Sequence, residues 1–293
     1  SRARLPRIGD ADDGHALLPN LAISFAADEP GPRARRFPQS GFSVTSLAGH
    51  DRLIFLTKDL GMPPNYGHGH ADLLSLTFDW QREPILIDPG TYLYADAPAR
   101  RTFRSSAGHN TLTVAGLDQA VPAGPFMWRD PPCCKAVRYT ADGGHVSELG
   151  WHDGFRSLGL RHWRGVLYVS DTCLAVWDRL VGPVHAGGAI QYWHLGPRPW
   201  HRGPGGIAYI EGPNGRSIEV ETSGDWLPDE APRAGGLDWP WSPSYGVLEP
   251  GRGIAIGMPI STPELVTVFW LGNRAAGQPL VAAWLGECRS AAV

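Results

Sequence analysis

Three short blocks of the sequence combine histidine, aspartate, arginine and tyrosine in a way that could support chemistry. His68 and His70 are two positions apart, so on an extended chain both side chains leave one face, as two ligands of one metal would. Asp88 lies where an apolar run ends, at the rim of a predicted strand, and His109 lies in a turn of small residues. The blocks read GHGHAD at 67–72, IDPGTY at 87–92 and FRSSAGHNT at 103–111.

Two histidines and a carboxylate that leave a fourth position open suit zinc. The same residue types also suit a hydrogen-bonded cluster of histidines in a polar loop, and spacing alone leaves both interpretations open. A cupin would place a glutamate a few residues after the paired histidines, but the next glutamate is Glu83. The sequence therefore predicts a polar site in this region, with zinc as one of two explanations.

Composition excludes several classes of function. The chain has 293 residues, of which 42% are hydrophobic and 19% charged, and a formal net charge of −3. These values are ordinary for a globular protein and lack the basic excess expected of a nucleic-acid binder. No apolar run approaches the roughly 20 residues of a membrane-spanning helix. The 12 tryptophans indicate either a large aromatic core or a surface that faces carbohydrate, and we favour the core.

The first 36 residues differ from the rest of the chain. They contain an acidic loop that begins at Asp10, a weakly apolar stretch from Ala16 to Ala27 that predicts a short helix, and a linker rich in Pro, Gly and Arg at 30–36. We interpret the aspartates of the loop as a solvated turn, because a calcium loop needs a longer ligand series that ends in glutamate.

From residue 37 to residue 293 the pattern is β. Short runs of Val, Ile, Leu, Thr and aromatic residues recur between Gly, Pro and Asp, and no long window keeps a helical repeat. This spacing predicts an all-β fold, a large antiparallel β-sandwich of stacked sheets. The predicted strands are 42–47, 53–57, 73–80, 84–87, 111–114, 160–169, 173–181, 190–195, 217–221, 253–258, 265–271 and 280–284.

Taken together, the three blocks resemble the signature of the heparinase II/III-like polysaccharide lyases in their order and approximate spacing. The segment 8–14 resembles the end of the helical domain in that family. Further similarity covers most of the chain, at Asp118-Gln119, Asp178-Arg179, His194 within a Trp-His-Leu segment, and 242–246.

The resemblance implies an α/α toroid followed by a domain of stacked antiparallel sheets, with the active cleft between the two domains. It assigns residues 1–36 to the end of the helical domain and a linker, and residues 37–293 to the sheet domain. The toroid would supply a catalytic tyrosine and further His, Asn or Arg residues. It is missing from this chain, so the chain alone is expected to be inactive. The implied substrates are uronic-acid polysaccharides, namely glycosaminoglycans such as heparin and heparan sulfate, and alginate, and the implied location is periplasmic or secreted.

The resemblance also assigns residues to roles. It makes His70, Asp88 and His109 the ligands of one zinc per chain, in a structural role that holds the loop of His68 against the sheet. It makes His68 the histidine of the sheet domain that faces the substrate, either as a base or as a neutraliser of the carboxylate.

Five further residues are candidates for the cleft. Tyr92 and Tyr94 would line it, with packing at the sheet rim as the alternative. Arg104 would pair with a substrate carboxylate or sulfate, with a structural ion pair as the alternative. Asn110 and His194 are candidates for substrate binding.

Two functions from different classes remain at this stage. The first is the sheet domain of a polysaccharide lyase, which contributes part of an active site. The second is a non-catalytic carbohydrate-binding or structural β-sandwich that keeps zinc for stability. The presence of His68 beside the implied zinc ligands favours the lyase, since stability alone would not need it.

Overall fold

The computed structural model describes residues 8–10, 33–142, 144–183, 188–228, 230–258 and 263–292. The helix predicted at Ala16–Ala27 lies outside these residues. The described part of the chain is built mainly of β-strands, and its helices are α1 Ala97–Arg104 and α2 Arg274–Ala291.

The strands, in chain order, are β1 Arg33–Phe37, β2 Phe42–Ser46, β3 Arg52–Leu56, β4 Leu76–Trp80, β5 Glu83–Leu86, β6 Leu112–Val114, β7 Val121–Pro122, β8 Trp128–Arg129, β9 Cys134–Asp142, β10 His145–His152, β11 Arg161–Val169, β12 Cys173–Val181, β13 Ala189–Gly196, β14 Trp200–Arg202, β15 Ala208–Glu211, β16 Ser217–Thr222, β17 Asp225–Trp226, β18 Arg233–Ala234, β19 Leu237–Asp238, β20 Pro240–Trp241, β21 Glu249–Pro250, β22 Arg252–Met258 and β23 Glu264–Trp270.

Three larger sheets make up the sandwich. A five-stranded sheet runs in the order β1-β2-β3-β4-β5, and a four-stranded sheet in the order β17-β22-β13-β6. The third sheet has eight strands in the order β14-β15-β16-β23-β12-β11-β10-β9. Neighbouring strands in all three pair antiparallel, which confirms the predicted all-β fold of stacked antiparallel sheets.

The main core lies between the sheets and is rich in aromatic side chains. Burial alternates along β4, so that Leu76, Phe78 and Trp80 point inward, as a half-buried strand requires. Trp193 of β13 and Phe269 of β23 meet edge to face with ring centroids 5.2 Å apart, which joins the four-stranded and eight-stranded sheets. Most tryptophans are buried, as the preferred interpretation of the composition predicted.

Helix α2 covers the outer face of the eight-stranded sheet. Val281, Trp284 and Cys288 are buried and recur at helical spacing, and they pack with Trp163 and Trp177 of the sheet in a second core. The strand predicted at 280–284 is therefore wrong. The short apolar run lies in an amphipathic helix, in which Val281 and Trp284 face the sheet while Leu280 is 46% exposed.

The β-strands also begin earlier than residue 37, where the β pattern was predicted to start. The arginine-rich stretch interpreted as a linker forms β1, which starts at Arg33 and pairs with β2 along its whole length. Strands β9 and β10 were not predicted, although they form one edge of the largest sheet. Burial along β9 is mostly intermediate or exposed, so this strand lacks the apolar run that marks the central strands.

Glu148 of β10 provides a pH-dependent test of the packing. Its side chain is buried at 4% exposure and accepts a hydrogen bond of 2.5 Å from Ser43 Oγ. Burial raises the pKa of Glu148 from 4.5 to about 7. The folded state therefore holds this proton where the unfolded state has lost it, so stability falls as pH rises from 4.5 through 7.

We expect Glu148→Gln, which cannot ionise, to gain about 2–3 kcal/mol of unfolding free energy relative to the wild type between pH 5 and pH 8. Urea unfolding at both pH values measures this difference. Glu249→Gln removes the same charge from an exposed position and should follow the wild type. Parallel curves for Glu148→Gln and the wild type would show that Glu148 ionises freely in the folded protein.

Candidate functional site

Loops at one end of the sandwich bring the three sequence blocks together. Asp96 caps the N-terminus of helix α1. Its carboxylate accepts a hydrogen bond of 3.1 Å from the Ala99 N–H, and proline stands in the first turn. This start points Arg100, which is 1% exposed, into the centre of the cluster. On the opposite side Gly69 passes so close to Leu60 that a Cβ would lie 1.9 Å from its carbonyl oxygen, so the chain between the two histidines requires glycine.

The centre of the site is a buried chain of hydrogen bonds. Asp88 Oδ2 lies 3.1 Å from His109 Nδ1, and His109 Nε2 lies 3.2 Å from His70 Nδ1. His70 Nε2 in turn lies 2.8 Å from Asp10 Oδ1. Both histidine side chains are fully enclosed. The structure thus brings all three predicted zinc ligands together and adds Asp10 as a fourth member.

The carboxylate of Asp10 is held from several sides. Arg100 donates to both of its oxygens, with distances of 2.5 Å and 2.9 Å, in the bidentate geometry that suits guanidinium and carboxylate. Thr91 Oγ1 donates to Oδ1 at 2.6 Å, and His68 Nδ1 lies 2.9 Å from Oδ2. The prediction of a solvated turn at Asp10 is therefore wrong, because the side chain is 9% exposed and fully paired.

These contacts shift the ionisation of Asp10 and His70. Burial acts to raise the pKa of Asp10, but the hydrogen bonds from His70 and Arg100 outweigh it and hold the pKa well below its usual range. Burial lowers the pKa of His70, against the effect of the hydrogen bond to Asp10. Asp10 is therefore an ionised carboxylate that His70 and Arg100 stabilise together.

In the Asp88–His109 pair the pKa of the histidine is raised, whereas that of His70 is lowered. Burial alone would lower the pKa of His109, but the charge and hydrogen bond of Asp88 raise it above its usual value. Burial likewise acts to raise the pKa of Asp88, and the contact with His109 overcomes this and lowers it. Each partner thus stabilises the charged form of the other in a place that water does not reach.

The geometry fits the predicted zinc only in part. Two imidazole nitrogens on one tetrahedral zinc lie about 3.3 Å apart, close to the 3.2 Å between His70 Nδ1 and His109 Nε2. Asp88 does not share that point, because it contacts the other nitrogen of His109. No group of three or more His, Cys, Asp or Glu side chains in the described part of the chain is arranged to hold a metal ion. We therefore derive no chemical step through a metal.

An aromatic rim surrounds the exposed edge of the cluster. The side chain of His68 is 64% exposed, and its ring lies 5.9 Å from that of Tyr94 and 5.4 Å from that of Phe126. Tyr94 also meets Tyr245 edge to face at 5.2 Å. Burial and the charge of Asp10 raise the pKa of Tyr94, so its hydroxyl keeps its proton at neutral pH.

The other predicted cleft tyrosine and arginine have different surroundings. Tyr92 packs against Phe103 with ring centroids 6.2 Å apart. Arg104 donates to main-chain carbonyls, including Gly69 at 3.3 Å and Pro125 at 2.6 Å, and its guanidinium lies 4.3 Å from the ring centre of Trp128. Burial lowers the pKa of Arg104 to about 10. Within the described residues it is Arg100, and not Arg104, that grips a carboxylate in this site.

The predicted substrate-binding residues lie beneath the site. Asn110 donates 2.7 Å and 2.9 Å hydrogen bonds to the carbonyls of Leu76 and Ile87 and accepts one of 2.6 Å from the His194 N–H. His194 Nε2 lies 2.9 Å from the carbonyl oxygen of Ala107, and burial lowers the pKa of this histidine to about 4. Both side chains tie the loops to the sheet.

A buried ion pair supports the site from the eight-stranded sheet. Arg164 donates to both oxygens of Asp178, at 2.7 Å and 2.9 Å. Its Nη1 also donates to the carbonyls of Leu74 and Asn110, at 2.9 Å and 2.5 Å. One arginine thus links a central pair of strands to the loops on which His70 and His109 lie.

Sequence reasoning missed Asp10, Arg100 and Thr91. The signal for Arg100 was the helix start at Asp96 and Pro98, which was not interpreted as a helix. Asp10 belongs to a segment that was matched to the end of a helical domain, but nothing in its spacing predicts contact with residues 60 to 90 positions away.

The sequence profile of the heparinase II/III-like C-terminal domain matches residues 29–247. This match spans well over half of the chain, and the chain belongs to that family.

Solved structures agree with this fold at low sequence identity. The heparinase III that is the BT4657 gene product superposes with a TM-score of 0.67 at 14% identity, over 90% of this chain and 43% of that chain. The heparan sulfate lyase HepC from Pedobacter heparinus superposes with a TM-score of 0.62 at 14% identity, over 81% of this chain and 36% of that chain. A further heparinase III structure superposes with a TM-score of 0.64 at 16% identity, over 93% of this chain and 46% of that chain. This chain thus spans less than half the length of these proteins.

Two comparisons are negative. None of the curated protein sequences matches this chain. Among the described residues, no helix combines the length and apolar character needed to cross a membrane.

The Asp10–Arg100 pair yields a test of the cluster. Removing one partner leaves a buried charge unpaired, so Asp10→Asn and Arg100→Met should each lower the unfolding free energy by about 3 kcal/mol. The double variant should cost less than the sum, with a coupling of about 1–3 kcal/mol, because neither charge then remains.

Urea unfolding of the wild type, both single variants and the double variant completes the cycle. Arg233→Gln, which removes the arginine of an exposed pair with Asp238, should unfold like the wild type. Simply additive costs would mean that Asp10 and Arg100 do not stabilise each other in solution.

Proposed function

We propose that this chain is the sheet domain of a polysaccharide lyase that cleaves uronic-acid-containing polysaccharide by β-elimination. In this proposal a helical domain supplies the rest of the active site. Membership of the heparinase II/III-like family supports a lyase, and the similar structures include a heparinase III and a heparan sulfate lyase. The substrate is a glycosaminoglycan or alginate, and the protein acts in the periplasm or outside the cell.

The observation that carries the proposal is the pairing of exposed His68 with buried Asp10. The carboxylate contacts Nδ1 of the imidazole at 2.9 Å, which fixes the tautomer that leaves Nε2 as the proton acceptor. Nε2 makes no hydrogen bond to the described residues, while 64% of the side chain is open to solvent. A histidine held in this way can accept a proton from a ligand that lies against the rim.

β-Elimination at a uronate needs a base and an acid at one sugar residue. The base removes the proton on C5, the electron pair forms the C4–C5 double bond, and O4 leaves with a proton from the acid. We assign proton removal to His68. Tyr94 retains its proton and has its ring 5.9 Å from that of His68, so we assign to it donation to the leaving oxygen.

The substrate carboxylate must be neutralised before its C5 proton can be removed. Arg100 already donates to Asp10, Thr91 and the carbonyl of Pro125. We therefore assign that neutralisation to residues of the helical domain. Asp10 and Arg100 hold His68 and His70 in place.

The test uses the protein expressed together with any sequence that its gene encodes upstream. Heparan sulfate and alginate are the substrates. Ultraviolet absorbance of the C4–C5 double bond should rise with the wild type. His68→Ala should slow the rise in absorbance by about 10²-fold or more, and Tyr94→Phe should also slow it. His145→Ala, which alters a histidine at the start of β10, serves as the control.

The nature of the product separates the alternatives. Cleavage to saturated ends would identify a hydrolase and overturn β-elimination. Binding of either polysaccharide without any product would favour the non-catalytic carbohydrate-binding β-sandwich.

We also propose one structural zinc per chain at His70 and His109, with Asp88 either as the third ligand, as the resemblance assigns, or as the residue that orients His109. The facing nitrogens support it, and two carboxylates that orient the outer nitrogens of the imidazoles are typical of zinc-bound histidines. The protein purified without chelators should contain about one zinc per chain. His70→Ala should lose the metal and melt at a lower temperature.

Asp88→Ala separates a ligand from an orienting residue. A ligand variant should contain no zinc, whereas loss of an orienting carboxylate should weaken zinc binding by about 10–100-fold. His145→Ala should keep the metal. A wild type that is folded and free of metal would show that these residues form only the hydrogen-bonded chain.

A further inference from the structure

A shallow aromatic groove lies at the open edge of the sandwich. Strand β14 is the edge of the eight-stranded sheet and β17 is the edge of the four-stranded sheet. Side chains from both edges line the groove, and they are joined by Trp239 from the connection between β19 and β20. Most tryptophans of the protein are buried in its cores, but the three that line this groove, Trp200, Trp226 and Trp239, remain partly exposed.

The alternation of β14 places Trp200 and Arg202 on the same face, toward the groove, and His201 on the other face. Trp200 stacks on Trp226 of β17, with ring centroids 6.3 Å apart and planes 23° from parallel. The Trp226 indole N–H donates to the Gly206 carbonyl at 2.8 Å, which fixes the ring. The two indoles therefore form a rigid wall between the sheet edges.

Arg202 supplies a positive charge at this wall. Its guanidinium lies 5.7 Å from the ring centre of Trp226. No carboxylate pairs with it in the described part of the chain. An arginine fixed over an aromatic ring without an acidic partner is free to bind an anionic group of a ligand.

Trp239 extends the aromatic lining toward the site. Its φ of 51° is uncommon for an aromatic residue and is stabilised by packing, because the ring lies across Gly253, where a Cβ would come within 2.0 Å of it. Gly253 pairs in register with His194, and the Trp239 ring meets that of His194 edge to face at 5.1 Å. The groove thus adjoins the residues that hold the loops of the candidate site.

We propose that this groove binds one acidic sugar residue of a polysaccharide, separately from the reacting residue. The apolar C–H face of a sugar ring stacks on the indoles, and its carboxylate or sulfate pairs with Arg202. The unpaired arginine selects an acidic saccharide over an uncharged one. Binding here does not depend on cleavage, so the site exists whether or not the chain is part of a lyase.

Isothermal titration with an alginate tetrasaccharide and with a heparan sulfate tetrasaccharide tests this. The protein should bind at least one of the two more tightly than uncharged cellotetraose, and added salt should weaken that binding. Arg202→Gln, which removes the charge but keeps a polar side chain that can donate a hydrogen bond, should weaken it by about tenfold, the value of one hydrogen bond to a charged group.

Trp226→Phe keeps a ring in the wall and should weaken binding less than Trp226→Ala, while melting curves confirm that both variants are folded. The matched control is His201→Ala, on the opposite face of the same strand, which should bind like the wild type. His145→Ala, at the start of β10 and outside both the groove and the candidate site, should also bind like the wild type.

Unchanged binding in both Arg202→Gln and Trp226→Ala would overturn the proposal, as would equal affinity for cellotetraose or no binding of any tetrasaccharide. Loss of lyase product with groove binding intact would count against the lyase alone.

Discussion

The site depends on one buried ion pair, Arg164–Asp178, in the middle of the eight-stranded sheet. A guanidinium without water must place its donors on acceptors, and Arg164 satisfies this with Asp178 and with the carbonyls of Leu74 and Asn110. The two carbonyls belong to different loops, so the need to satisfy one charge fixes the distance between the loops. His70, four residues before Leu74, and His109, next to Asn110, lie 3.2 Å apart on the loops that Arg164 joins.

The requirement that a buried guanidinium be paired also explains why the distant segment that contains Asp10 enters the site. Arg100 is 1% exposed, and the carboxylate that pairs with its guanidinium is Asp10 of the leading segment, not one from the described sheet domain. Asp10 neutralises it and at the same time orients His68 and His70. The leading segment thus completes the electrostatics of the sheet domain. This contact gives a physical reason why the segment that resembles the end of a helical domain stays with the sheet domain.

The sequence allowed the fold and the members of the site to be predicted much better than their contacts. Alternating or continuous apolar runs located the central strands, including β12 at its exact bounds. Helix α2 was missed because a short apolar run cannot be told from a strand without its neighbours. The three blocks identified the site, but the partner of Arg100 lies 90 positions earlier in the chain. The periodicity of apolar residues carries no information on such an ion pair, since the pair forms only when the chain folds.

The three histidines of the site differ in their exposure to solvent. His70 and His109 are enclosed, and both ring nitrogens of each lie within hydrogen-bond distance of protein groups. Neither can exchange a proton with a ligand without breaking this series of hydrogen bonds. His68, at the end of that chain, is 64% exposed and uses only Nδ1. Its φ of 61° lifts it out of the buried loop, while Gly69 behind it packs against Leu60. Of the three histidines, His68 is therefore the one with a ring nitrogen open to a ligand, and Asp10 sets the direction in which that nitrogen points.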